Sequence, residues 1–125
     1  MNTWLVLSAV LVTILGLAHS WLGERYILTR LFRRPDLPQL FGGDDFTRRT
    51  LRFAWHLTTA TWWGLAVLLI LLADPAVIPS RGMVGAVLAA IALVCAAITV
   101  VGSRGRHLAW PVFLAIAATT WLGTR

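Results

Sequence analysis

The chain has 125 residues, 58% hydrophobic and 13% charged, about half the charge share of an ordinary soluble domain. Its formal net charge is +6 and all eleven basic residues are arginine. These arginines flank long apolar blocks instead of interleaving with exposed stacking aromatics, which excludes nucleic acid as a partner.

The one cysteine, Cys95, lies inside an apolar block. It can form no intrachain disulfide and fits no CxxC or zinc spacing. It reads as a small hydrophobic filler. Hydrophobicity comes in blocks rather than in an amphipathic period, so lipid is the expected solvent.

The first segment, 3–22, is free of charge and matches the roughly 20 residues needed to cross ~30 Å of hydrocarbon. It lacks a basic leader and is longer than a signal-peptide core, so it reads as a retained span. Trp4 and Trp21 mark its two interfaces. Ser8 and His19 share a face, and Gly16 with Ser20 forms a small-xxx-small pair suited to close helix contact.

Residues 24–34 place Ile27, Leu28, Leu31 and Phe32 on one side of a helical wheel. Arg25, Thr29, Arg30, Arg33 and Arg34 fall on the other. The pattern predicts an interfacial amphipathic helix with its arginines toward anionic headgroups. Pro35 and Pro38 end it. Gly42-Gly43 is a turn, and Asp44 or Asp45 is expected to cap the next helix and complement its dipole.

The second segment runs from about 46 to 73, with 53–73 embedded. Arg48, Arg52 and His56 repeat every four residues, and Thr59, Ala60 and Trp63 continue near that stripe. Trp62 and Trp63 read as packing residues. Asp74-Pro75 ends the helix. The third segment, 82–102, is rich in glycine and alanine. Its Gly82, Ala86 and Ala90 repeat suggests the bundle centre or a homo-oligomer contact, since small residues permit close approach in lipid. Ser103 to Arg106 is a turn. The fourth segment, 107–122, has Pro111 in its first turn, where proline is tolerated.

Orientation follows from arginine bias. The 23–52 loop and its borders carry seven arginines (25, 30, 33, 34, 48, 49, 52), and the turn between segments three and four carries two (104, 106). Both connections lie on one side of a four-span protein, which makes that side cytoplasmic and puts both termini in the periplasm. High alanine, leucine and arginine content points to a bacterial inner membrane. The expected class is all-α: one membrane domain, 1–125, forming a four-helix bundle with an interfacial helix between spans one and two.

Chemistry, if any, is expected at the cytoplasmic rim. His19, His56 and His107 come to a similar depth there, beside Glu24, Arg52, Arg104 and Arg106. Polar groups within a span are costly and mark functional candidates. Four readings stay open. The histidines can be structural. Two of them, His19 with His56 or His56 with His107, can ligate a b-type haem with Arg52 and Arg106 near its propionates. They can form a quinone, lipid-headgroup or proton site. All three can bind a metal, although no HExxH-like spacing is present.

No acidic residue lies inside any span, and the sequence shows no serine–histidine–acid arrangement or phosphate-cradling glycine loop. The expectation is therefore a non-enzymatic subunit or a small-molecule- or lipid-binding module. Alternatives are a haem- or quinone-binding electron carrier, or a transporter along Ser8, Thr13, Thr58, Thr59, Thr61, Thr99, Thr119 and Thr120.

Overall fold

A computed structural model describes residues 1–124. Four helices carry the chain: α1 (Thr3–Leu31), α2 (Asp45–Ala73), α3 (Arg81–Ser103) and α4 (Ala109–Gly123). Among the described residues there is no strand, only an isolated bridge between Leu40 and Gly43 in the α1–α2 connection. α1, α2 and α3 are each long and apolar enough to cross a membrane. α4 is apolar but has 15 residues, about 22 Å at 1.5 Å per residue.

The order of packing follows the order of the chain: α1 on α2, α2 on α3, α3 on α4. Both outer pairs are antiparallel and tied at their far ends. Asn2 caps α1, its Oδ1 accepting from the Trp4 amide at 3.0 Å, while its own amide donates to the Ala73 carbonyl at 2.6 Å. Ser80 caps α3 through the Met83 amide, and Arg81 Nη2 donates to the Gly123 carbonyl at 2.8 Å. The α3–α4 turn needs two left-handed residues, Arg104 (φ 53°) and Gly105 (φ 75°).

The helices turn leucine, isoleucine and valine outward. Leu11, Ile14, Leu15 and Leu17 of α1 are all more than half exposed. The buried positions are small: Ala9 and Gly16 on α1, Ala66 and Ala73 on α2, and Gly85, Ala89, Ala92 and Ala96 on α3. That inversion is what helices do in lipid, where close backbone approach replaces a hydrophobic drive.

Two expectations need correction here. The amphipathic stretch is not a separate helix lying flat on the membrane. α1 continues through it without a break, as a π-helical segment over Gly23–Leu28 and a last turn at Thr29–Leu31. Its apolar side is also used within the protein. Leu28 and Phe32 bury against Leu37, with Leu31 and Trp55 beside them. Outside the lipid core, burying such side chains stabilises by about 1.5–3 kcal/mol each. Ile27 alone of the four predicted apolar residues stays exposed, while Arg25, Arg30, Arg33 and Arg34 all face outward.

The second correction concerns the α2 N-terminus. Asp44 occupies the cap position but makes no side-chain cap bond. Instead Asp44 pairs with Arg48 at 2.5 Å and Asp45 with Arg49 at 2.9 Å, each one helical turn on. The spacing favours this, because i,i+4 side chains meet on a helix surface. The Arg48 hydrogen bond holds the Asp44 carboxyl below the usual aspartate range.

The small face of α3 is also phased differently. The residues that pack are Gly85, Ala89, Ala92, Ala96, Thr99 and Ser103. Ala89 and Ala92 form a buried cluster with Ala117 of α4. Gly82 and Ala90 are exposed.

Candidate functional site

The arginine-rich end of the α1–α2 pair is held by two cross-links side by side. In the first, the Trp55 indole N–H donates to the His19 carbonyl at 2.9 Å. The His19 ring lies flat on the Trp55 ring (4.5 Å, 4°), with its Nε2 3.3 Å from the Trp55 carbonyl. In the second, Ser20 Oγ lies 2.9 Å from His56 Nδ1 and 2.7 Å from Thr59 Oγ1. Two consecutive residues on α1 thus meet two consecutive residues on α2. Gly23, one turn further, is buried against the Trp55 indole so closely that a Cβ there would overlap the ring.

Glu24 extends the second link toward the rim. Its Oε1 accepts from Arg52 Nη2 at 2.9 Å, and its Oε2 faces His56 Nε2 at 3.5 Å. Oε2 is buried and has no hydrogen-bond partner among the described residues. A carboxylate accepts but does not donate. A neutral His56 facing it therefore carries its proton on Nε2. Nδ1 is then the acceptor for the Ser20 hydroxyl.

Arg52 also stands over the Phe32 ring, 5.0 Å from its centroid. Arg48 bonds the Phe32 carbonyl as well as Asp44. The rim arginines therefore stitch the end of α1 to the start of α2.

The sequence stripe Arg48–Arg52–His56–Thr59–Ala60–Trp63 lines a groove between α2 and α3. Its wide part, ≈ 770 Å³, is walled by Phe32, Asp45 and the three arginines 48, 49 and 52 on one side, and by Ile98 and Val101 on the other. Its narrower part, ≈ 490 Å³, runs along Trp63, Val67, Val87, Ile91 and Val94. His56 and Ile98 belong to both parts. Arginine is concentrated at one end, and the other end is nearly all hydrocarbon.

The three histidines do not share one site. His19 is taken up by Trp55 and, edge-on, by Trp62 at 5.0 Å. His56 faces the groove. His107 precedes α4, stacks on Phe46 (5.8 Å) and meets Phe53 edge-on (5.2 Å), and its Nδ1 accepts the Ala109 amide at 3.2 Å. Arg106 lies over Phe41, at 5.8 Å, away from the groove. No group of three or more histidine, cysteine or acidic side chains able to hold a metal ion is present among the described residues. Haem does not fit these residues either. Ligation by His19 with His56 would displace the bonds to Trp55, Ser20 and Glu24, and Arg106 is not beside His56.

Sequence reasoning found the α2 stripe and missed its partners. Ser20 read as a packing residue, and the meeting of Ser20, His56 and Glu24 was not visible. Trp62 and Trp63 do pack across the α1–α2 seam, Trp63 donating to the Thr13 carbonyl at 3.4 Å. Compared with known protein families, curated proteins and solved structures, the chain matches none.

Proposed function

We propose that this is a small multi-pass protein of a bacterial inner membrane that binds a lipid or similar amphiphile in the α2–α3 groove. The observation that carries the reading is the groove's polarity gradient. Arg48, Arg49 and Arg52 with Asp45 stand at one end, His56 at the junction, and an apolar channel continues beyond. A phospholipid has the same profile: a charged headgroup, an ester region, then hydrocarbon. Because Asp45 adds a negative charge to the arginine end, the lining carries both signs. A zwitterionic headgroup suits such a lining better than a bare anion does.

The four-span topology supports this placement. α4 is short, but its end is bonded to the first residue of α3. α4 therefore returns across the depth that α3 traverses, and modest local thinning of the bilayer accommodates it. With four spans, the arginine loop and the α3–α4 turn face the cytoplasm and both termini the periplasm. The exposed Arg25, Arg30, Arg33 and Arg34 then meet anionic headgroups around the groove mouth.

The test is lipid retention. Protein purified in mild detergent is examined by native mass spectrometry for bound phospholipid, beside Ala90→Phe, which fills the apolar channel. Retained lipid in the parent and its loss in Ala90→Phe are expected. Equal retention in both would falsify the groove as the binding site.

A further inference from the structure

We propose that Ser20 is an activated nucleophile, with His56 as its base and Glu24 as the positioning acid, that cleaves the ester bond of an acyl lipid held in the groove. This rests on the amphiphile reading above and goes beyond it, from binding to acyl transfer.

A serine hydroxyl is a weak nucleophile until an adjacent base takes its proton and a third group orients that base. All three parts are present. Ser20 Oγ is within hydrogen-bond reach of His56 Nδ1, at 2.9 Å. Glu24 Oε2 lies 3.5 Å from the other ring nitrogen. Glu24 fixes the tautomer that leaves Nδ1 free to accept.

The buried Oε2 without a hydrogen-bond partner gains a meaning here. Once His56 holds a second proton, the imidazolium Nε2–H faces a carboxylate oxygen with nothing else to accept from. Arg52, on Oε1, keeps that carboxylate oriented.

Position agrees with chemistry. Ser20 and His56 both line the apolar part of the groove, and His56 also borders the arginine-rich part. The junction between headgroup and hydrocarbon is where a glycerolipid carries its esters. Thr59 Oγ1, 2.7 Å from Ser20 Oγ, is the hydroxyl donor beside the developing oxyanion. Helix amides in α1 are committed to their own backbone. One hydroxyl in place of a pair of amides forfeits much of the oxyanion stabilisation, typically about 10²–10³-fold per missing donor. Slow turnover is expected for that reason.

The steps balance as follows. Ser20 Oγ attacks the ester carbonyl carbon as its proton passes to His56 Nδ1. The carbonyl–alkoxy bond breaks, and Nδ1 returns that proton to the leaving oxygen, releasing the alcohol portion. Water then attacks the acyl-serine, giving a proton to His56. The serine–acyl bond breaks, the fatty acid departs, and Ser20 recovers its proton. One ester and one water become an alcohol and a fatty acid.

The decisive experiment uses the full chain in detergent with two fluorophosphonates, one carrying an ethyl group and one a hexadecyl chain. Labelling is followed by intact mass and mapped by peptide mass spectrometry. Covalent labelling at Ser20, faster with the hexadecyl probe, is expected. It should vanish in Ser20→Ala and slow by about 100-fold or more in His56→Gln, the usual scale for losing a general base. Glu24→Gln, expected to slow it about 10-fold, serves if His56→Gln does not fold. Circular dichroism checks helix content in each variant.

No labelling by either probe, with helix content and lipid retention intact, overturns the nucleophile and leaves the groove reading standing. Labelling by the ethyl probe alone overturns the acyl-lipid substrate, and with it the groove reading.

Discussion

The α1–α2 seam and the α3–α4 seam are both antiparallel helix contacts, yet they use their hydroxyl groups in opposite ways. In α3, Thr99 donates to the Cys95 carbonyl at 2.8 Å and Ser103 to the Thr99 carbonyl at 2.6 Å. Those side chains satisfy themselves on their own helix, and the seam is closed by Ala89, Ala92 and Ala117. Across α1–α2, Ser20 and Thr59 turn away from their own helices and bond to the neighbour, Thr59 also reaching the Gly16 carbonyl at 3.3 Å. A polar side chain that gives up its own i−4 carbonyl has to be held elsewhere. The first seam is packing. The second is a hydrogen-bonded network that opens into a groove.

Four substitutions or conditions separate the two seams, in falling order of effect. Gly23→Ala should cost most, about 3 kcal/mol, because its Cβ would overlap the Trp55 indole and push both cross-links apart. Thermal unfolding in detergent measures it, and a change under about 1 kcal/mol would show that the seam yields easily.

Ala92→Leu should cost about 2 kcal/mol by overpacking the buried α3–α4 cluster. It should leave lipid retention unchanged, which mass spectrometry checks. Loss of lipid there would mean the two seams are coupled.

Thr59→Val against Thr99→Val is the direct comparison. Thr59→Val should cost about 1 kcal/mol and Thr99→Val under about 0.5 kcal/mol, because only the former removes an interhelical bond. Equal costs would erase the distinction.

The smallest effect concerns acid. The Arg48 bond depresses the Asp44 carboxyl, so its contribution is present above the ordinary aspartate value of ~4 and is lost as pH falls through the depressed one. Asp44→Asn should remove that part of the acid sensitivity, read as a flatter melting temperature against pH below about 4.

The helical blocks were legible because charge is absent from them and crowds between them. α1 to α3 begin and end within a residue or two of the expected bounds, apart from the run of α1 through 23–31. That continuation was hidden because nothing in Gly-Glu-Arg-Tyr-Ile-Leu breaks a helix, and an amphipathic wheel does not say whether lipid or protein covers its apolar side. Here Leu37 and Trp55 cover it. The α2 stripe was readable at a spacing of four, and it lines the groove. Its counterpart on α1 was not. Ser20 and His56 are 36 positions apart, and their meeting depends on the sliding register of two helices, which no local spacing encodes. Asp44 and Asp45 stood four residues before Arg48 and Arg49, so those ion pairs were available to a closer reading.

The π-helical segment over Gly23–Leu28 has a consequence of its own. A π turn accommodates one residue more than an α turn, and each residue advances a helix by roughly 100°. The segment therefore works as a phase shifter between the apolar span and the arginine-bearing end of α1. Deleting one residue there, Tyr26 for example, would let the helix relax to α periodicity while the last turn swung by that angle. Leu28 and Phe32 would leave their shelter, and the arginines would point along a new bearing. The composition would be nearly unchanged, but the rim would be aimed somewhere else.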